Sequence, residues 1–445
     1  PPSSRLNPTR MTRNFLFLFA ATAVVIGLGT TPLWLTSSSS SPADPPDSSH
    51  DDSNAKITLV ETSPLNAPGK LSTSIETYEY EVSLLDASTS YVHVTSMYWN
   101  LLCSPDELSS YASSCARGSA VYDAMDRAAS RGVQLTFLQD GKQNHTELVK
   151  LRNAHPSNVR VKLWTADDWY GGGIMHMKLW LVDGRHVYLG SSNMDYLSLS
   201  NVRELGVGVT NSTTVGSDVG KVFDDWFEWA DMALSVKTVD ERRYQQNRTA
   251  PWWRGSSHSY PFGRSDRSAY DDRKTLLGSE FYIGRSPPEI SPTPTHDGKS
   301  IVKQLEDSQS WFKLSVMDFL VTSEYDSVYF DELTRAISQA CMVGKKGMVM
   351  VSWWQHSSAS MVLDLLNLQS LAGPNLSVRV ALMPGWNRTA DTPNSTEEAA
   401  YPPYSRVAHG KYVLTDRSVN VGTSNHAWAY FYETAGASYV TDDEG

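Results

Sequence analysis

Two short stretches of this chain carry the same reactive residue types in the same order. His176, Lys178 and Asp183 are followed by Gly190-Ser191-Ser192-Asn193, and His409, Lys411 and Asp416 by Gly422-Thr423-Ser424-Asn425. A lone His-x-Lys is a common accident, but recurrence of the whole set is not. Two imidazoles can attack and donate a proton in turn, while two ammonium groups and two carboxamides neutralise and hydrogen-bond the oxygens of a phosphate. The set suits a phosphodiester, and its duplication implies one site assembled from two half-sites. The copies are not identical: six residues separate Asp183 from Gly190, and five separate Asp416 from Gly422.

The elements that must position these residues are legible around them. HMKLWLVD and HGKYVLTD alternate polar and apolar residues, which predicts strands with His and Lys on one face. A tight turn and a short second strand, VYLG or NVG, then bring the Gly-Ser-Ser-Asn or Gly-Thr-Ser-Asn loop back beside them. The Ser191 and Thr423 hydroxyls and the Asn193 and Asn425 amides are thereby placed near the His and Lys. A histidine nucleophile needs its second nitrogen held, normally by a carboxylate accepting from Nδ1. Glu204 in RELGV and Glu433 in YETAG, shortly after the two asparagines, are the candidates. Asp183 and Asp416 are expected to support strand and loop geometry rather than to move protons.

The paired motif sits inside a weaker, longer repeat. ITLVETSPL at 57–65 resembles EFYIGRSPPEI at 280–290, and SYVHVTSMYW at 90–99 resembles SWFKLSVMDF at 310–319. RGVQLTFL at 131–138 pairs with KGMVMVSW at 346–353, and NVRVKLW at 158–164 with SVRVALM at 377–383. Helical spacing of apolar residues falls between them, at 119–129, 332–342 and 358–371. Strands alternating with helices predict an α/β fold of two duplicated domains, each a mainly parallel sheet flanked by helices, with the site between them. The expected domains are 56–235 and 280–445, joined by a connection at 236–279.

At 445 residues, two domains are the natural expectation, and 14 Trp supply core material. A formal charge of -11 is the wrong sign for a protein that holds nucleic acid by a broad basic surface. A polyanion must therefore be gripped locally, and the 11 His would reduce the negative charge in an acidic compartment. The sequence has no compact His or carboxylate cluster with metal-ligand spacing, so no metal or cofactor is expected.

The N-terminus bears on location. Residues 14–35 form an uncharged, apolar run long enough to cross a hydrocarbon core of roughly 30 Å as a helix. Arg5, Arg10 and Arg13 precede it and no Lys or Arg follows until Lys56, which predicts a cytosolic tail at 1–13 and a type II transmembrane anchor. A cleaved signal peptide is the competing reading, disfavoured by the length of the run and the lack of a clear small-x-small site after Leu35. Residues 36–55, rich in Ser, Pro and Asp, read as a flexible stalk. Six glycosylation sequons, at Asn144, Asn211, Asn247, Asn375, Asn387 and Asn394, agree with a lumenal domain. Cys103 and Cys115 could close a small loop there, leaving Cys341 buried or paired elsewhere; three free buried thiols are an equal alternative.

Taken together, the double His-x-Lys-x4-Asp pattern, YLGSSNMDYLSLSNVRELGV and VGTSNHAWAYFYETAG resemble the phospholipase D superfamily, in particular its animal family members three and four. The resemblance spans roughly 57–445 and implies a glycosylated type II endolysosomal protein with a further C-terminal stretch beyond Gly445. It implies His176 as nucleophile and His409 as acid/base, with Lys178, Lys411, Asn193 and Asn425 on the phosphate. It also implies a 5′ exonuclease on single-stranded DNA and RNA, with phospholipid transphosphatidylation as the alternative. An inactive relative serving as receptor or scaffold is a third class, disfavoured because both His-Lys pairs are intact. Expected partners are single-stranded nucleic acid or phospholipid, a membrane through the N-terminal helix, and a second copy in a homodimer. Tyr98, Trp99, Trp353 and Trp354 are candidates to stack on a terminal base or to fill the core.

Overall fold

Branched and aromatic residues at alternate positions set the strands, and the same succession occurs twice. A computed structural model describes residues 52–230, 273–322, 328–386 and 401–442, apart from 68, 70, 72, 167–169, 171 and 289–295. The first half runs β1 (Lys56–Thr62), β2 (Ile75–Glu76), α1 (Thr77–Ala87), β3 (Tyr91–Ser96), β4 (Trp99–Asn100), α2 (Pro105–Ser130) and β5 (Gln134–Asp140). It continues through α3 (Thr146–Ala154), β6 (Val159–Trp164), β7 (Leu179–Val182), β8 (His186–Gly190), β9 (Met194–Asp195), β10 (Glu204–Thr210) and α4 (Thr213–Trp229). The second half comprises β11 (Lys274–Leu276), β12 (Ser279–Ser286), α5 (Asp297–Asp307), β13 (Trp311–Val316), α6 (Asp331–Met342) and β14 (Lys346–Ser352). There follow α7 (Ala359–Ala372), β15 (Leu376–Ala381), β16 (Lys411–Thr415), β17 (Val419–Gly422), α8 (Trp428–Tyr432) and β18 (Gly436–Thr441).

Each half contributes one eight-stranded sheet, ordered β2-β1-β10-β8-β7-β3-β5-β6 and β11-β12-β18-β17-β16-β13-β14-β15. Every strand pair matched in the sequence occupies the same place in the two orders. The sheets are nevertheless mixed, not mainly parallel. Only the strands joined through helical crossovers, β3-β5-β6 and β13-β14-β15, run parallel in the body of each sheet. β7 to β8 and β16 to β17 are joined by short turns at 183–185 and 416–418, which leave no room for a crossover and force antiparallel pairing. Helix α2 is also longer than its apolar period predicts. Ser104 caps it in a capping box with Glu107, and its polar first turns carry no periodic signal before the kink at Tyr111.

The sheets stack face to face. Leu181, Leu189, Val207 and Val209 meet Phe281, Ile283, Val421 and Tyr439, with Val219, Phe223 and Trp226 of α4 in the same core. Each outer face packs on its own helices, giving a helix, sheet, sheet, helix arrangement. Strand β7 is therefore covered on both faces and reads as a continuous apolar run. Arg285 and Asp225 form a buried ion pair across the halves at 3.4 Å.

A disulfide joins Cys103 to Cys115, and Cys341 is free and buried. Among the described residues no helix is long and apolar enough to cross a membrane. The tail and anchor at 1–35, nearly all of the stalk at 36–55, most of the connection at 236–279, and Asn247, Asn387 and Asn394 lie outside the described residues.

Candidate active site

The two histidines do not lie on strands of their own sheets. His176 and Met177 precede β7, and Lys411 is the first residue of β16. Instead, each segment pairs with backbone of the opposite half. The His176 N–H donates to the Ala435 carbonyl at 3.0 Å, and the Ala435 N–H to Ile174 at 3.0 Å. Likewise the His409 N–H donates to the Arg203 carbonyl at 2.8 Å, and the Arg203 N–H to Val407 at 2.8 Å. The approach at 173 is close enough to require glycine: Gly173 has φ +80°, and a Cβ there would lie 2.0 Å from the Glu433 carbonyl oxygen.

This exchange carries each candidate glutamate towards the other half. Glu204, at the start of β10, sets both carboxylate oxygens against His409 Nδ1, at 2.9 and 2.8 Å. Ser191 donates its hydroxyl to Glu204 Oε2 at 2.5 Å and accepts the Leu205 N–H at 3.0 Å. Thr423 occupies the matching place, its Oγ1 accepting the Ala437 N–H at 3.1 Å. Glu433 is fully buried just before the Ala435 stretch that pairs with the His176 segment. The edge of the Tyr430 ring faces His176, with centroids 5.1 Å apart.

His176, Lys178, Asn193, His409, Lys411 and Asn425 are all buried. Each lysine turns back to the carbonyl of its own histidine, Lys178 to His176 at 2.7 Å and Lys411 to His409 at 2.5 Å. The four basic groups sense one another. Burial, then Lys178, Lys411 and His409, drive the His176 imidazole well below its usual pKa. Burial takes His409 down to about 4 against the upward pull of Glu204. Burial, then Lys411, holds Lys178 well below the ordinary lysine range, and burial takes Lys411 to about 7 although Glu204 and Asp318 oppose the shift. A pocket that penalises cations this strongly gains most from an anion.

Asp183 and Asp416 lie at the far ends of their strands, away from these groups. Asp183 accepts N–H bonds from Thr89, Ser90 and Tyr91 at 2.8–2.9 Å, and Asp416 accepts them from Gln309 and Ser310 at 2.8 and 2.6 Å. Trp99 fills the core, its indole N–H bonded to Ser96 at 2.5 Å. Two carboxylates carry no motif in the sequence. Asp195 accepts the Tyr98 hydroxyl at 2.6 Å, and Asp318 accepts the Trp354 indole N–H at 2.8 Å and the Asn425 amide at 3.3 Å. The repeat itself held the signal for the second, because 90–99 aligned on 310–319 sets Asp318 against Tyr98. Among the described residues no cluster of His, Cys, Asp and Glu could hold a metal ion.

Comparison with known proteins finds relatives along most of the chain. The family model described as PLD3/4, PLD-like domain matches residues 65–243. A protein named probable phospholipase D from Caenorhabditis elegans is 30% identical over 407 residues, 86% of this chain and 66% of its own length. The 5'-3' exonuclease PLD3 of Xenopus tropicalis is 28% identical over 88% of this chain and 75% of its own, and the 5'-3' exonuclease PLD4 of Mus musculus 28% over 89% and 75%. In fold, a phosphatidylserine synthase of Haemophilus influenzae superposes with a TM-score of 0.52 over 82% of this chain and 80% of its own, at 13% identity. Residues 65–243 thus match a PLD3/4-like domain, and the chain as a whole is similar to proteins of the phospholipase D superfamily, its PLD3/4 branch among them.

Proposed function

We propose that the chain hydrolyses phosphodiesters through a phosphohistidine, acting from the 5′ end of single-stranded DNA and RNA. The observation that carries this reading is the Glu204–His409 contact beside a second buried histidine and two lysines of lowered pKa. With Glu204 accepting from Nδ1, the Nε2 of His409 is left to handle protons. His176 attacks phosphorus, the P–O bond to the leaving group breaks, and His409 gives that oxygen a proton. His409 then takes a proton from water, the water oxygen attacks the phosphohistidine, and the P–N bond breaks to restore His176. Lys178, Lys411, Asn193 and Asn425 stabilise charge on the non-bridging oxygens. This supplies locally the positive field that a net charge of -11 lacks.

The names of the PLD3 and PLD4 relatives support the nucleic-acid substrate. The uncharged run at 14–35 supports a type II anchor with the stalk, the domains at 56–235 and 280–445, and the site in a lumen, in keeping with an endolysosomal address. The same run favours a second reading, cleavage or transfer of phospholipid head groups, because it tethers the enzyme to a bilayer. The deciding experiment incubates the protein near pH 5 with a single-stranded oligonucleotide and with phosphatidylglycerol vesicles, beside the His176→Ala and His409→Ala variants. Mononucleotide release lost in both variants supports the nuclease reading. Lipid turnover with an intact oligonucleotide reverses it.

A further inference from the structure

The two half-sites differ chemically at one matched position. Tyr98 lies beside Asn193, hydrogen-bonds its side chain, and donates its hydroxyl to Asp195 at 2.6 Å. Asp195 is fully buried and also takes the Ser198 N–H at 2.7 Å and hydroxyl at 3.1 Å, so its carboxylate is enclosed by donors. In the second half the matched residue is itself a carboxylate. Asp318 is half-buried, accepts the Asn425 amide at 3.3 Å, and its charge is felt by Lys411. Both sides therefore hold a carboxylate whose charge reaches a lysine, but on the Asn193 side it is enclosed behind the Tyr98 phenol, whereas on the Asn425 side it is half-buried beside the asparagine itself.

Aromatic rings continue outward from the carboxylate. The Trp354 indole N–H fixes Asp318 at 2.8 Å, the Trp354 and His356 rings meet edge to face at 4.6 Å, and His356 lies nearly parallel to Tyr404 at 6.1 Å. Tyr404 is 43% exposed, so the row runs from the buried site to solvent. Base faces stack on such rings with little sequence preference. A carboxylate at the inner end accepts a hydrogen bond from a hydroxyl and repels a second phosphate.

We propose that Asp318, backed by Trp354, His356 and Tyr404, is the specificity-determining residue for the strand end: it accepts the terminal 5′-hydroxyl, rejects a terminal 5′-phosphate, and the rings take the terminal base. This rests on the nucleic-acid reading above.

The test compares one single-stranded oligonucleotide with a 5′-hydroxyl against the same strand with a 5′-phosphate, using wild type, Asp318→Asn and Asp318→Glu. Wild type and Asp318→Glu should favour the hydroxyl end in kcat/KM by about tenfold or more, and Asp318→Asn should bring the ratio close to one. A ratio within a single variant is unaffected by partial loss of folded protein. If wild type cuts both strands equally, Asp318 has no such role, whether or not the variants fold. An unchanged preference in Asp318→Asn also overturns the assignment while leaving the nuclease intact. If wild type degrades neither strand yet cleaves the small diester bis(p-nitrophenyl) phosphate, the nucleic-acid reading itself has failed.

Discussion

Glu204 Oε2 lies 2.8 Å from His409 Nδ1, joining the first sheet's β10 to the histidine that leads into the second sheet's β16. The imidazole and the carboxylate on its Nδ1 thus belong to different halves. Burial drives His409 down to about 4, and Glu204 is the strongest influence in the opposite direction. Glu204→Gln removes that influence, so His409 loses its proton at lower pH. A group that must be protonated to act then fails earlier as pH rises. The alkaline limb of the kcat/KM profile should move to lower pH, with kcat reduced roughly 10²–10⁴-fold. A limb that stays in place would show that Glu204 serves packing alone.

In the proposed mechanism the two histidines act in one sequence of bond changes, so their losses should not add. His176→Ala and His409→Ala are each expected to lower kcat by roughly 10³-fold or more, and the double variant should be little worse than either. Asn425→Ala removes one donor to the developing charge and should cost about 10²–10³-fold in kcat. Single-turnover kinetics with rapid acid quench separates these effects. A histidine variant that retains near-normal turnover would remove that residue from the mechanism.

Much of the scaffold was legible because the chain states it twice. The strand pairs at 57–65 and 280–290, 90–99 and 310–319, 131–138 and 346–353, and 158–164 and 377–383 occupy equivalent places in both sheets. Strand direction was legible only at the tight turns, 183–185 and 416–418, which impose antiparallel pairing; elsewhere alternation of apolar residues is the same in parallel and antiparallel ladders. The crossing of Glu204 to His409 was not legible. Its cause is the pairing of Arg203 with Val407 and His409, a long-range backbone contact that leaves no periodic mark. Asp318 was hidden for another reason: its importance comes from differing from Tyr98, and a search for repeats rewards likeness.

Buried carboxylates should give the fold a pH dependence opposite to that of ordinary salt-bridged acids. Burial raises Asp297 to about 7, although the Ser438 hydroxyl donates to it and lowers the value. A folded pKa above the unfolded value near 3.9 means that the stability from this proton is complete below about pH 4 and is lost as pH rises to about 7. Asp297→Asn keeps the neutral form at all pH. Its melting temperature relative to wild type should therefore improve from pH 4.5 to pH 7.5, the relative stability gaining about 1.4 kcal/mol for each pH unit crossed between the unfolded and folded pKa values. A constant difference across that range would show that Asp297 is ionised in the folded protein.

The described sequons differ in what their amides already do. Asn375 donates its Nδ2 to the Cys341 carbonyl at 2.9 Å and accepts Lys346 Nζ at 2.5 Å, tying α6 and β14 to β15. Asn144 donates to the Trp99 carbonyl at 2.8 Å and accepts the Thr146 hydroxyl at 2.8 Å. A glycan on either Nδ2 must displace or crowd a bond that fixes a loop against the core. Asn211 is exposed on a tight turn with φ +56°, where a bulky polar substituent points to water. Expressed through a secretory pathway, the protein should carry a glycan at Asn211 in most molecules, and less at Asn375 and Asn144, by peptide mapping after deglycosylation in heavy-oxygen water. Replacing Asn211 with Asp, which also tolerates the left-handed backbone, should remove the glycan with a stability change within about 0.5 kcal/mol, whereas Asn375→Ala should cost about 1–3 kcal/mol by stranding the Cys341 carbonyl. Full occupancy at Asn375 with an unaltered melting temperature would mean that this amide bond contributes nothing to the fold.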